Sequence, residues 1–195
     1  MTTVYFVRNA QPDEKWQENI TRPLTEAGIA DSNLVTEFFQ DIPLDAVFSS
    51  PFKIIIETVG GAAIAHNLTV ITDNRLSGLD TYSSNNSIEM LRSLFHDLSF
   101  HEEGKESIKM VQDRTVDVLK DILTEYADKT VVIGIHGLNL GAVLNYFNPD
   151  FNFDEYIKMN DWMPYIMEFD FEKINLLEIK AHCYICKNSN GNINL

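Results

Sequence analysis

Residues 4–13 read VYFVRNAQPD. The first four are apolar and β-branched or aromatic, the fifth is Arg8, and from Asn9 the chain turns polar. An apolar run this short, without polar interruption, suits a strand buried in a sheet. We expect that strand over Thr3–Arg8, ending in residues that carry chemistry.

Two further junctions repeat the design. DAVFS (45–49) runs into Ser50-Pro51, and TVVIGI (130–135) runs into His136-Gly137. A helix is expected from Thr25 to about Phe39, with Ala27, Ala30, Leu34 and Phe38 as its apolar stripe. Another should open at Ser50-Pro51. The serine hydroxyl there would accept a free backbone N–H, and the proline has no N–H to satisfy. Phe52, Ile55, Val59 and Ala62 would face inward along it. Over Glu106–Tyr126, residues Ile108, Val111, Thr115, Val118, Ile122 and Tyr126 fall on one helical face and charges fill the other. An apolar helix follows His136-Gly137 to about Phe147.

Weaker signals complete the chain. Leu68–Thr72 reads as a strand, residues 87–100 as a short helix, and SSNN at 83–86 as a mobile loop. Tyr165–Phe171 and Ile174–His182 read as two strands joined by a tight Glu172-Lys173 turn. The resulting order, β-α-β-α-β-α-α-β-α-β-β, predicts an α/β three-layer sandwich. Its sheet would be mostly parallel, flanked by helices, with an added hairpin.

Composition bounds what such a domain can do. The chain has 195 residues, enough for one domain at roughly 150 residues each, expected here over 1–187 with a loose polar tail at 188–195. It carries 15 basic and 29 acidic side chains, a formal net charge of −14. That excess argues against nucleic acid and against an anionic membrane as partner, since both are held by positive charge. A small phosphate ester in a local basic pocket stays possible. No stretch reaches the roughly 18 apolar residues of a membrane span, and the N-terminus lacks the pattern of a signal peptide. Two cysteines cannot build a disulfide framework, and a reducing cytoplasmic setting fits.

The carboxyl ends of strands in open α/β sheets face the ligand crevice, and helix N-termini beside them offer free N–H groups to an anion. Arg8, Asn9, Ser50 and His136 are therefore candidates to converge. Arg8 is either a strand-end arginine reaching for water or a planar fork for phosphate. His136 is either a capping or core histidine or a functional one, and Gly137 after it permits close approach to backbone. His182, Cys183 and Cys186 form a C-x-x-C neighbourhood on an expected strand. Redox motifs belong instead at strand–helix turns, and zinc wants a fourth ligand, so a structural role is the simpler reading.

The arrangement resembles the histidine phosphatase superfamily, the phosphoglycerate mutase-like proteins. The resemblance rests on VYFVRNAQPD (4–13), RPLTEAG (22–28), SSPFKIIIETV (49–59), GKES (104–107) and VVIGIHG (131–137), in family order. It implies a phosphoglycerate mutase-like fold and phosphomonoester hydrolysis or phosphoryl transfer through a phosphohistidine. It implies no metal and no organic cofactor, because positive side chains hold the phosphate. It places Arg8, Asn19, Arg22, Gly137 and Leu138 among ligand-binding positions and His136 among catalytic ones.

Three positions depart from the family pattern. Asn9 stands where the nucleophilic histidine belongs, and the nitrogen lone pair of a carboxamide is delocalised into its carbonyl, so it cannot attack phosphorus. Ile54 stands at the second arginine and Gly78 at the general acid, with Asp80 two residues on as a possible substitute. The resemblance thus predicts impaired catalysis. The alternative is a repurposed pocket, native or engineered, in which Arg8 and His136 hold an anion while Ile54 and Leu138 touch an apolar portion. A third reading makes His136 a general base, with Asn9 as a hydrogen-bond donor and Ser50 as the nearest nucleophile.

Overall fold

The computed structural model describes residues 1–79 and 88–187. Strand β1 (Thr2–Arg8) lies near the middle of a sheet of order β3-β2-β4-β1-β5-β6. The other strands are β2 (Ala46–Ser49), β3 (Val70–Thr72), β4 (Thr130–Ile135), β5 (Trp162–Glu172) and β6 (Asn175–Cys186). Pairings among β3, β2, β4 and β1 are parallel; β1–β5 and β5–β6 are antiparallel. The mostly parallel sheet with a terminal hairpin is therefore observed.

Alternation along the central strands divides the core. Tyr5, Val7, Val47 and Val132 pack with α1 (Glu26–Phe38) and α2 (Lys53–Ala65) on one face. Val4, Phe6, Phe48 and Ile133 pack with α4 (Ile108–Glu125) and α5 (Gly137–Phe147) on the other. Two shorter helices, α3 (Ile88–His96) and α6 (Phe153–Met159), join α4 and α5 in a satellite cluster around Leu94, Phe95 and Tyr156. Helix α6 was not anticipated. It is only seven residues long, and its N-cap Asn152 accepts hydrogen bonds from the backbone N–H groups of Asp154 and Glu155.

Several expected elements shift. Helix α2 begins at Lys53, not at Pro51, and Phe52 holds the N-cap position without a side-chain cap. Ser50 is therefore not the N-cap: its hydroxyl accepts the Phe52 N–H at 3.3 Å in the turn before the helix and meets His136 instead. In α1 the buried residues are Gly28 and Val35 rather than the expected Ala27–Phe38 stripe. The helix is rotated because Gly28 lies directly against the Gln11 carbonyl, where a Cβ would come within 2.4 Å. Lys173 and Ile174, not Glu172, make the β5–β6 turn, with Lys173 at φ 57°. The expected stripe of α4 is observed; Ile108, Val111, Thr115, Val118 and Ile122 are buried. The expected loop at 83–86 and the tail at 188–195 lie outside the described residues.

The hairpin is fastened to β1 by polar contacts as well as by pairing. Tyr5 donates its hydroxyl hydrogen to Glu168 at 2.7 Å, and Lys180 and His182 reach the same carboxylate at 2.9 and 2.8 Å. This accounts for His182. A register irregularity in β6 between Ala181 and Tyr184 turns Cys183 toward the α1-side core. Among the described residues no cluster of His, Cys, Asp or Glu is placed to hold a metal.

Phe169 is fully buried beside Phe6, ring centroids 4.9 Å apart in an edge-to-face pair. Phe169→Ala should cost about 3–5 kcal/mol of unfolding free energy. Urea denaturation checks this, with a loss below about 1 kcal/mol contradicting the central role of the β1–β5 seam.

Candidate active site

Strands β1 and β4 pair in parallel from Thr3 opposite Thr130 to Arg8 opposite Ile135. Both end at the same level, and the Asn9 backbone N–H continues the ladder to the Ile135 carbonyl at 3.3 Å. Strand β2 ends beside them, with the Ser50 N–H donating to Gly134 O at 3.4 Å. The three junctions read from the sequence therefore do meet.

His136 sits at the N-cap position of α5 but makes no capping hydrogen bond. Its Nε2 shares a hydrogen bond of 2.8 Å with Ser50 Oγ, and its ring stands edge-on to Phe52 at 4.8 Å. Gly78 packs over the ring face: a Cβ there would lie 3.2 Å from Nδ1 and Cε1. Burial presses the imidazole pKa down to about 3, helped by the positive charges of Arg114 and Arg8. The ring is neutral near pH 7.

Arg8 is 6% exposed. Its Nη1 donates to Met159 O at 2.5 Å and its Nη2 to Asn160 O at 2.8 Å, so the guanidinium binds the carbonyl end of α6. That helix was missed in the sequence, and so was this use of Arg8. Arg8 forms no salt bridge to a described carboxylate, and its Nε, pressed against Gly137, has no hydrogen-bond partner. The residue is a buried cation whose charge is answered by carbonyl dipoles in contact and, without a salt bridge, by the Asp161 carboxylate.

Asn9 is equally buried, and its side-chain amide donates to the Ala10 carbonyl at 2.9 Å. Ile54 lies in an apolar cluster with Ala10, Leu24 and Ile55. Above His136 opens a cleft of about 560 Å³ whose walls include Asn19, Phe52, Ser77, Gly78, Glu106 and Arg114. Arg8, Asn9 and His136 are not among its walls; of the three, His136 lies directly behind Gly78 and Phe52. Arg22 stands behind Asn19, donating to Asn19 Oδ1 at 2.7 Å and pairing with Glu14 at 3.2 Å. Gly137 and Leu138 open α5, and Leu138 packs into the satellite cluster. Asp80 lies outside the described residues.

Sequence reasoning did not single out Arg114. It lies on the charged side of α4 beside the Thr115 stripe, so the helix pattern gave it no distinction. Its fork takes the Glu106 carboxylate at 2.9 Å with both Nε and Nη2. Nη1 donates to Arg75 O and Ser77 O, each at 2.6 Å, and Nη2 also reaches Gly78 O at 3.3 Å. A second hollow, of about 750 Å³ between α3 and α6, shares no lining residue with this cleft.

A family model described as the histidine phosphatase superfamily (branch 1) matches residues 4–180. No curated protein matches the chain. Similar solved structures include YhfR of Bacillus stearothermophilus, at 19% identity and TM-score 0.74 over 91% of this chain and 95% of that one. Mycobacterial glucosyl-3-phosphoglycerate phosphatase matches at 14% identity and TM-score 0.71, over 92% and 96%. A histidine-to-alanine mutant of Entamoeba histolytica phosphoserine phosphatase, in complex with phosphoserine, matches at 16% and 0.73, over 98% and 99%.

The lowered pKa of His136 has a pH signature. The unfolded imidazole takes up a proton near pH 6.5, and the folded one only near pH 3. Between those values the unfolded state binds more protons, so acidification costs stability. From pH 6.5 to 5 the parent should lose about 1–2 kcal/mol more than His136→Gln. Urea titrations of both at each pH measure the difference, because carboxylate effects common to both cancel. Parallel stability curves would contradict a buried neutral His136.

Proposed function

The chain belongs to the histidine phosphatase superfamily, and from that premise we propose that it has lost phosphohistidine catalysis and keeps a small-molecule pocket able to hold an anion. One observation carries the loss. At the nucleophile position stands Asn9, a buried amide engaged with Ala10. It offers no lone pair able to bond to phosphorus. The neighbouring departures agree with it. Ile54 is packed among apolar side chains where an anion clamp is expected, and Gly78, the residue against the His136 ring, itself carries no acid. The neutral imidazole of His136 is held by Ser50.

Retained anion binding is favoured by a separate observation. Arg8 is a buried guanidinium with no described carboxylate in contact, Asp161 acting on it only at longer range, and its unpaired Nε sits at the first residue of α5. No side chain caps that helix. A charge taken out of water with no counter-charge in contact is costly, and an anion at the α5 N-terminus would supply one. The E. histolytica mutant holding phosphoserine is a neighbouring fold in which a histidine has been removed and a phosphoester is still bound.

Turnover of para-nitrophenyl phosphate by the purified chain should stay at background, and Asn9→His alone should not rescue it. Adding Ile54→Arg and Gly78→Glu to that variant is the arm expected to recover activity, because all three positions serve one site. Loss of a nucleophile that acts as part of a unit typically removes many powers of ten in rate. Robust turnover by the parent, abolished in His136→Ala, would overturn the reading.

A further inference from the structure

The outer cleft carries a second, independent message about the ligand. A guanidinium has five N–H donors. In Arg114 all five are spent: Nε and one Nη2 hydrogen on Glu106, both Nη1 hydrogens on Arg75 O and Ser77 O, and the remaining Nη2 hydrogen on Gly78 O. Arg114 is the one cation among the described residues that line the cleft. It has no donor left for a ligand, and its charge is answered by the bidentate carboxylate of Glu106.

The remaining walls add negative charge and apolar surface. Glu18 lines the mouth, accepting a hydrogen bond from the Thr21 hydroxyl at 2.6 Å. Ile20, Phe52 and Leu79 supply apolar contact. Two carboxylates and one saturated guanidinium leave the outer cleft with a negative balance. A second anionic group on a bound ester would lose its water there and face two carboxylates, with only the neutral amides of Asn19 and Asn74 and the Ser77 hydroxyl as donors in return.

We propose that this cleft selects phosphate monoesters of uncharged, apolar or aromatic alcohols and rejects esters whose alcohol portion carries a carboxylate. The inference rests on the reading above, in which the phosphate end seats toward the α5 N-terminus. It adds the half of the ligand that lies outside that seat. Recognition by exclusion follows from charge: Glu18 and Glu106 face the cleft against one saturated guanidinium, whereas the Arg8 cation lies outside its walls, toward the start of α5.

Calorimetry on the full chain at low salt tests this with a matched pair, phenyl phosphate and 4-carboxyphenyl phosphate, with inorganic phosphate as reference. Phosphate and phenyl phosphate should bind, and the carboxylated ester should bind at least fivefold more weakly. The gap should shrink at 0.5 M salt, where the screening length falls to a few ångströms, roughly 4. It should also shrink in Glu18→Gln, a change at an exposed loop position. Equal or tighter binding of the carboxylated ester would overturn the proposal and leave anion binding intact. Absence of binding by all three, inorganic phosphate included, would overturn both.

Discussion

The whole arrangement depends on one constraint, the parallel pairing of β1 with β4 in a register that puts Arg8 opposite Ile135. Because both strands stop at that level, residue 9 and residue 136 become neighbours although 127 positions apart in sequence. A parallel pair cannot be closed by a tight turn, so helices must cross over, and here they cover both faces of the sheet. The site is a by-product of that closure. It forms where the sheet ladder runs out and backbone and side-chain polar groups need other partners.

What those polar groups do with their hydrogen bonds carries the proposed loss of phosphoryl transfer. The Arg8 fork is turned toward the end of α6, and Arg114 is saturated by Glu106 and three carbonyls. The Asn9 amide is satisfied by its own neighbour. Most of these contacts are long-range, and on the proposed reading they make a polar layer beneath an open cleft in place of a cradle for phosphoryl transfer. Electrostatic preorganisation requires donors aimed at the place where charge develops. Here most of the donors are aimed at protein.

Much of this was legible in the chain, and the reasons it stopped are physical. Strand ends at Arg8, Ser49 and Ile135 could be read because each is an apolar run closed by polar residues, and the three substituted positions stood out against the family motifs. The α1 face could not be read correctly. Its orientation is set by Gly28 meeting the Gln11 backbone, a tertiary contact without periodicity. The start of α2 was misplaced because Ser50-Pro51 has good capping chemistry, while the Ser50 hydroxyl is drawn to His136 across 86 residues. Helix α6 was too short to show a stripe, so the partner of Arg8 stayed hidden, as did the role of Arg114, whose ligands are mostly backbone carbonyls contributed by a distant segment.

The central claim is that the catalytic position has no atom able to form a bond to phosphorus. Intact-protein mass spectrometry after incubation with phosphoramidate, a direct donor to histidine, addresses it without needing the natural ligand. The account predicts no phosphoryl adduct at the β1–β4 junction of the parent chain, whatever the exposed His96 and His101 take up, with one appearing there only when residue 9 is replaced by histidine. An acid-labile adduct on the parent chain, mapped to His136 or to any residue of the β1–β4 junction, would contradict it.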